Sequence, residues 1–188
     1  MEFLFTENNK VLQDMEKEWL AGRKFGAYML VGKSGSGKTA FLRQLDADLQ
    51  KQQQGNMITW LTTEYVVGAL LHDKDIFKEL KTPVVIVENM EELKGKDSTI
   101  TYVFDWIHSW LKQNKGLFIG TAIDNTIAFP EYVNVLENKE IEVTPQVVEV
   151  VAKMKNLQLD KERVSLITQK AEGRMTNLFG LLHREILT

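Results

Sequence analysis

The chain has 188 residues, 44% hydrophobic and 26% charged, which fits one α/β domain or one α/β core with a small appendage. A formal net charge of −3 and five dispersed arginines, Arg23, Arg43, Arg163, Arg174 and Arg184, argue against a broad non-specific nucleic-acid surface, which needs clustered Lys or Arg. With no cysteine, disulfides, thiol catalysis and zinc-thiolate sites are excluded, and with no apolar run near the roughly 20 residues that span a bilayer and no signal-peptide pattern at Met1-Glu2-Phe3-Leu4-Phe5, a cytoplasmic protein without a membrane partner is expected.

In chain order, Val11, Leu12, Met15, Trp19 and Leu20 recur at helical spacing and predict an amphipathic helix over about 9–21. The apolar run Tyr28-Met29-Leu30-Val31 reads as a strand, and Gly32-Lys33-Ser34-Gly35-Ser36-Gly37-Lys38-Thr39 follows it, fulfilling G-x-x-x-x-G-K-[ST] at every fixed position. The glycines allow positive φ and turn backbone N–H groups toward phosphate oxygens. Lys38 is placed to reach the β- and γ-phosphates, and Thr39 to offer its hydroxyl to Mg²⁺. Ala40-Phe41-Leu42-Arg43-Gln44-Leu45 continues at helical spacing, so the loop opens a helix whose N-terminal dipole favours the anion. Strand, glycine loop and helix together specify a phosphate-binding loop of the P-loop NTPase kind, with Gly32 through Ala40 as its contacts.

Met57-Ile58-Thr59-Trp60-Leu61 reads as a second strand, and Thr62-Thr63-Glu64 caps a helix carrying Tyr65, Val66, Ala69, Leu70 and Leu71. Val84-Val85-Ile86-Val87 is a short continuous apolar run of the kind buried on both faces of a parallel sheet. A helix over about 98–114 places Val103, Trp106, Ile107, Trp110 and Leu111 on one stripe. Gly116 to Thr121 is the next strand, and Glu140-Ile141-Glu142-Val143 is expected to form a short edge strand. This alternation predicts a three-layer parallel-sheet fold with the nucleotide at the carboxyl ends of the strands. After Thr144-Pro145 the pattern is helical only: Val147 to Met154, then a helix capped by Asp160, then, beyond Gly173, one with Leu178, Phe179, Leu182 and Ile186. The expected organisation is a nucleotide-binding domain over 1–143 and a helical lid over 144–188.

A P-loop NTPase carries an Asp at the end of a buried strand for the Mg²⁺ shell, with an acid close by that orients water. Here Glu88 and Asn89 stand in those places. Glu88 still accepts from a metal-bound water, so Thr39 and Glu88 are the expected metal residues. Asn89 is neutral and takes no proton, so hydrolysis is expected to be slow unless Glu91 or Glu92 compensates.

The glycine loop, then Ile58-Thr59-Trp60-Leu61-Thr62-Thr63-Glu64-Tyr65-Val66, then Val85-Ile86-Val87-Glu88-Asn89-Met90-Glu91-Glu92-Leu93-Lys94-Gly95-Lys96 resemble, in this order, the AAA+ domain of the bacterial replication initiator DnaA and its short relative Hda. The resemblance extends over nearly the whole chain. It implies an AAA+ fold with a helical lid, bound ATP or ADP with Mg²⁺, and partners among replication proteins (initiator, helicase or clamp) or further copies of the chain. It implies paired aspartates where Glu88 and Asn89 stand, and a sensor-one acid near Ala122, for which Thr121 and Asp124 are the polar substitutes. The family's arginine finger falls between Asp124 and Val143, where this sequence has no arginine. The sensor-two arginine falls at Arg174, or at Thr176 if Leu178 and Gly180 are matched to the family's leucine and glycine. The family's segment before the first helix packs near adenine, which would place Phe5 through Lys10 at the base. The sequence ends after the predicted lid, so no initiator-type helix-turn-helix is expected within it, and the glutamine-led clamp motif of Hda is absent from its start.

His72, His108 and His183 lack acid partners at ligand spacing and read as surface or helix-face residues. Trp106 and Trp110, at i and i+4, read as core rather than as a base-stacking pair. Three functions follow: a nucleotide-binding regulator of replication with weak hydrolysis, an adaptor or helicase-loader-like module with a vestigial site, or an unrelated small-molecule kinase. The lid disfavours the last, because small kinases insert arginine-loaded lids within the sheet domain.

Overall fold

The computed structural model describes residues 14, 17, 21, 26–52, 57–72, 74–137 and 142–186. The described residues form two compact units, one from Val11–Gly32 with Lys38–Glu137 and the other from Lys33–Gly37 with Asn138–Thr188. Of the helix expected over 9–21, only Asp14, Lys17 and Ala21 are described, and the base-lining segment Phe5 to Lys10 lies outside the described residues.

The first unit is a five-stranded, all-parallel sheet in the order β2-β3-β4-β1-β5. Its strands are β1 (Gly26–Val31), β2 (Ile58–Thr62), β3 (Val84–Glu88), β4 (Leu117–Ala122) and β5 (Val133–Glu137). Its helices are α1 (Lys38–Gln52), α2 (Thr63–Leu71) and α3 (Asp97–Asn114), with 3₁₀ turns at Ile76–Glu79 and Met90–Leu93. Alternate strand residues explain the layers. Ala27, Met29, Val31, Val85, Val87 and Phe118 join Val103, Phe104, Ile107 and Trp110 of α3 in one core. The intervening Tyr28, Leu30, Val84, Ile86, Leu117 and Ile119 are buried as well, so the sheet is covered on both faces, as parallel sheets are. The three-layer α/β fold read from the alternation is the observed one.

The edge strand differs from the expectation. Glu140 and Ile141 lie outside the described residues, Glu142 and Val143 are not in a strand, and β5 pairs with β1 from Ala27↔Val133 to Val31↔Glu137. Of Val133-Asn134-Val135-Leu136-Glu137 only Val133 is buried, so this edge strand carries neither the continuous apolar run of a strand covered on both faces nor the alternation of one covered on a single face.

The second unit contains α4 (Pro145–Met154), α5 (Lys161–Ala171) and α6 (Met175–Ile186). Their apolar faces close a separate core of Val148, Val151, Ala152, Val164, Ile167, Ala171, Leu178 and Leu182. Thr144 caps α4 by accepting from Val147 N at 3.4 Å, with Pro145 at the first position where a missing N–H costs nothing. Asp160 caps α5 by accepting from Arg163 N at 2.7 Å. Glu172 and Gly173 both take positive φ, 50° and 73°, and end that helix. Arg163 then donates through Nε and Nη2 to both carboxylate oxygens of Glu185, at 2.8 and 2.6 Å, tying α5 to α6. Among the described residues no helix is long and apolar enough to cross a membrane.

One glycine is fixed by packing. A methyl group on Gly116 would stand 2.6 Å from the Pro83 carbonyl oxygen and closer still to the Trp110 ring, and neither neighbour is a flexible side-chain end. Gly116→Ala is therefore expected to destabilise the sheet unit by about 1–3 kcal/mol. Urea unfolding followed by tryptophan fluorescence measures this, and an unchanged midpoint would contradict the packing described.

Candidate nucleotide site

The site begins where β1 runs out. Gly32 N donates to Ala122 O at 3.1 Å, continuing the β1–β4 ladder by one step before the chain leaves the sheet. Within the loop, Gly35 and Gly37 take φ of 84° and 89°, and Ser36 N donates to Lys33 O at 3.1 Å. These left-handed glycines permit the inward-facing N–H groups that the motif requires. Lys33 and Ser34 are exposed and Ser36 is buried. α1 starts at Lys38, so Thr39 and Ala40 lie in its first turn, where backbone N–H groups have no helical acceptor.

Lys38 lies half-buried and donates from Nζ to the Gly32 carbonyl. Burial holds its ammonium below the usual lysine range, and the carboxylate of Glu91 partly offsets this. Of the two acids that could replace the missing one, Glu91 therefore acts on Lys38 and has one carboxylate oxygen buried without a hydrogen-bond partner. Glu92 is exposed.

The Thr39 hydroxyl donates to Glu88 Oε1 at 3.3 Å, across 49 residues of sequence. This pair fits Mg²⁺, which binds through one or two carboxylates together with substrate phosphates and keeps several waters. No group of three or more His, Cys, Asp or Glu able to hold a metal alone occurs among the described residues. Asn89 follows in a left-handed conformation, φ 64° and ψ 42°, exposed, and starts the 3₁₀ turn Met90–Leu93.

Thr121 is 4% exposed, and its oxygen accepts from Asn89 N at 3.2 Å. It thereby meets the end of β3, while the Asp124 carboxylate accepts from both the backbone N–H and the hydroxyl of Thr126. Those bonds hold its pKa below the usual carboxylate value. Thr63 was legible only as part of a helix start. The structure adds that it is 1% exposed and donates to Glu88 O at 2.8 Å. The signal that could have found it is register, since β2 pairs with β3 through Thr62↔Glu88.

Arg174 belongs to the helical unit. It is exposed and directly precedes α6, donating from N to Ala171 O at 2.9 Å and accepting at its own carbonyl from Leu178 N at 3.1 Å. Trp110 is buried and Trp106 partly buried in the α3 core, while His108 stacks on Tyr132 with ring centroids 4.5 Å apart.

This chain matches the model of the bacterial DnaA ATPase domain over residues 3–141. It belongs to that family. The chromosomal replication initiator protein DnaA of Cereibacter sphaeroides is 33% identical over 102 residues, covering 50% of this chain and 22% of the initiator. The human cell division control protein 6 homolog is 27% identical over 139 residues, covering 60% of this chain and 24% of that protein. The chain thus spans under a quarter of the length of these curated relatives. Among solved structures, a replication initiator DnaA bound to AMPPCP and single-stranded DNA matches with a TM-score of 0.76 at 16% identity, covering 100% of this chain and 64% of that one. Domain III of the Thermotoga maritima DnaA matches with a TM-score of 0.72 at 15% identity, covering 98% of this chain and 87% of that one. At these identities the structural likeness establishes the fold alone.

For this DnaA-family domain, the left-handed turn at Asn89 is the feature most easily probed. Asn tolerates that conformation and a β-branched residue does not. Asn89→Gly should leave stability unchanged or raise it, and Asn89→Val should cost about 1–2 kcal/mol. Chemical denaturation with a constant m-value distinguishes these outcomes, and equal stability of the two variants would contradict the turn.

Proposed function

We propose that this chain is an ATP- or ADP-binding AAA+ domain of the DnaA type that acts in the cytoplasm in the control of replication initiation and turns nucleotide over slowly. The observation that carries the reading is the Thr39 hydroxyl facing the Glu88 carboxylate at 3.3 Å beside an intact glycine loop. Gly32 to Ala40 would cradle the phosphates, with Lys38 leaving the Gly32 carbonyl for the phosphate oxygens. Thr39 and Glu88 would hold Mg²⁺, which supplies charge neutralisation at the phosphates when bound.

Slow turnover follows from Asn89, which takes no proton where the resemblance expects a second aspartate. Glu91 is kept beside Lys38 and is better suited to balancing that ammonium than to activating water. The sequence from Asp124 to Val143 offers no arginine to a neighbour's nucleotide. Arg174, at the start of α6, is the lid residue proposed to respond to nucleotide. Nucleotide state would then act as a ligand that biases one arrangement of the domain over another, read out by replication proteins or by further copies of the chain.

A second reading, an adaptor or helicase-loader-like module acting through protein contacts, draws on the surface near α2 and α3. Tyr65, Leu71 and Tyr102 are 56%, 79% and 58% exposed. A cavity of about 500 Å³ is lined by Leu70, Asp75, Lys78, Ser98, Thr99, Tyr102 and Trp106. Exposed aromatic and aliphatic groups around a concavity suit a protein partner.

Calorimetric titration with ADP and with a non-hydrolysable ATP analogue tests the main reading. The chain should bind both, and Lys38→Ala should weaken binding roughly 10- to 100-fold, the worth of one charge-assisted hydrogen bond. Steady-state turnover should be slow and should rise at least about tenfold in Asn89→Asp if a missing proton acceptor limits it. Absence of binding in the unmodified chain would overturn the reading, and fast turnover abolished by Glu91→Gln would overturn the slow-hydrolysis part of it.

A further inference from the structure

The end of β3 is held by two buried hydroxyls: Thr63, which no sequence motif assigns to the nucleotide, and Thr121, which the family resemblance offers as a substitute for the sensor-one acid. The ladder with β4 stops at Val87↔Gly120 and the ladder with β2 at Thr62↔Glu88, so the chain beyond Glu88 has no further strand partner. Two buried hydroxyls take over at that point. Thr63 donates to the Glu88 carbonyl at 2.8 Å from the β2 side, and Thr121 accepts from the Asn89 N–H at 3.2 Å from the β4 side. With Ser36, these are the buried polar residues among those described, and a buried hydroxyl is retained where it has a partner to satisfy. Between the two bonds the backbone turns left-handed at Asn89, a conformation that persists when its surroundings over-determine it.

We propose that Thr63, with Thr121 opposite it, is a positioning residue that fixes the end of β3 so that the Glu88 carboxylate faces Thr39 for nucleotide-bound Mg²⁺. The inference rests on the nucleotide-binding reading and adds to it which side chains orient the metal carboxylate. Thr63 touches neither nucleotide nor metal. Its hydroxyl fixes the carbonyl of the residue whose side chain does, and loss of that bond lets the peptide after Glu88 rotate and the carboxylate swing away from Thr39. Thr63 is also the first residue of α2, directly after its cap Thr62, so the clamp joins that helix start to the metal carboxylate.

The test compares nucleotide affinity in excess Mg²⁺ and in EDTA for the full chain, Thr63→Val, Thr63→Ser and Thr121→Val, using ADP as the probe, with thermal melts alongside. The unmodified chain should bind ADP more tightly with Mg²⁺. Thr63→Val, nearly isosteric, should keep its EDTA affinity and lose about tenfold of the Mg²⁺-dependent gain, as expected for one hydrogen bond. Thr63→Ser should restore that gain, and Thr121→Val should reduce it. If Thr63→Val does not fold, the Thr63→Ser and Thr121→Val pair decides alone: a normal gain in the first with a reduced gain in the second supports the clamp, and equal gains overturn it. An intact gain in folded Thr63→Val, or equal loss with and without Mg²⁺, overturns the positioning role while leaving nucleotide binding standing. No ADP binding by the unmodified chain overturns the nucleotide reading itself and the clamp with it.

Discussion

The constraint on which the rest depends is the shared register of a parallel sheet buried on both faces. Every side chain of β1 from Ala27 to Val31 and of β3 from Val84 to Val87 is in the interior, so polar chemistry is confined to the carboxyl ends. Register then decides which ends meet. Val31 pairs with Ala122, Val87 with Gly120 and Thr62 with Glu88. Thr62, Glu88 and Thr121 consequently lie side by side near the carboxyl ends of β2, β3 and β4, with Thr63 and Gly32 one and two residues further along, and the residues that complete the hydrogen bonds of this row come from neighbouring strands. The Thr39–Glu88 pair is a product of that alignment, since its members are far apart in sequence.

The energetic character of this row bears on holding a nucleotide as against consuming it. Lys38 is taken partly out of water and is balanced by the Gly32 carbonyl and the Glu91 charge. It is a cation whose surroundings already disfavour its charge, and phosphate oxygens would relieve that cost. The peptide after Glu88 is fixed by Thr63 and Thr121 on either side. What the row lacks is a carboxylate at Asn89, where a proton could go. Under the proposed nucleotide-binding reading, these residues would hold phosphates and Mg²⁺ without the most direct group for hydrolysis, and slow hydrolysis would lengthen each nucleotide state.

The sequence was most legible where local chemistry is self-sufficient. Gly32 to Thr39 announces its strand, turn and helix within a dozen residues, Val84 to Val87 declares a buried parallel strand, and Thr144-Pro145 and Asp160 mark helix starts that the structure keeps. Legibility failed where the deciding partner is distant. β5 carries one buried residue and reads as loop. Thr63 looks like one more capping hydroxyl until register sets it against Glu88. Asp124 carries a local turn bond to Thr126 two residues away that composition does not reveal. Residues 1–13, which hold the expected adenine contacts, and the loop residues 53–56 lie outside the described residues, so those contacts stand as a reading of the sequence.

Membership in the bacterial DnaA ATPase-domain family places the chain among proteins named for replication initiation, and its proposed role turns on how long it keeps its nucleotide. The most direct measurement is a single-turnover experiment: load the protein with ATP and Mg²⁺, remove free nucleotide, quench at intervals and separate bound ATP from ADP. A site built to hold rather than consume should retain nucleotide that stays largely ATP over many minutes. Conversion to ADP within seconds, or no nucleotide retained on the protein, would contradict it.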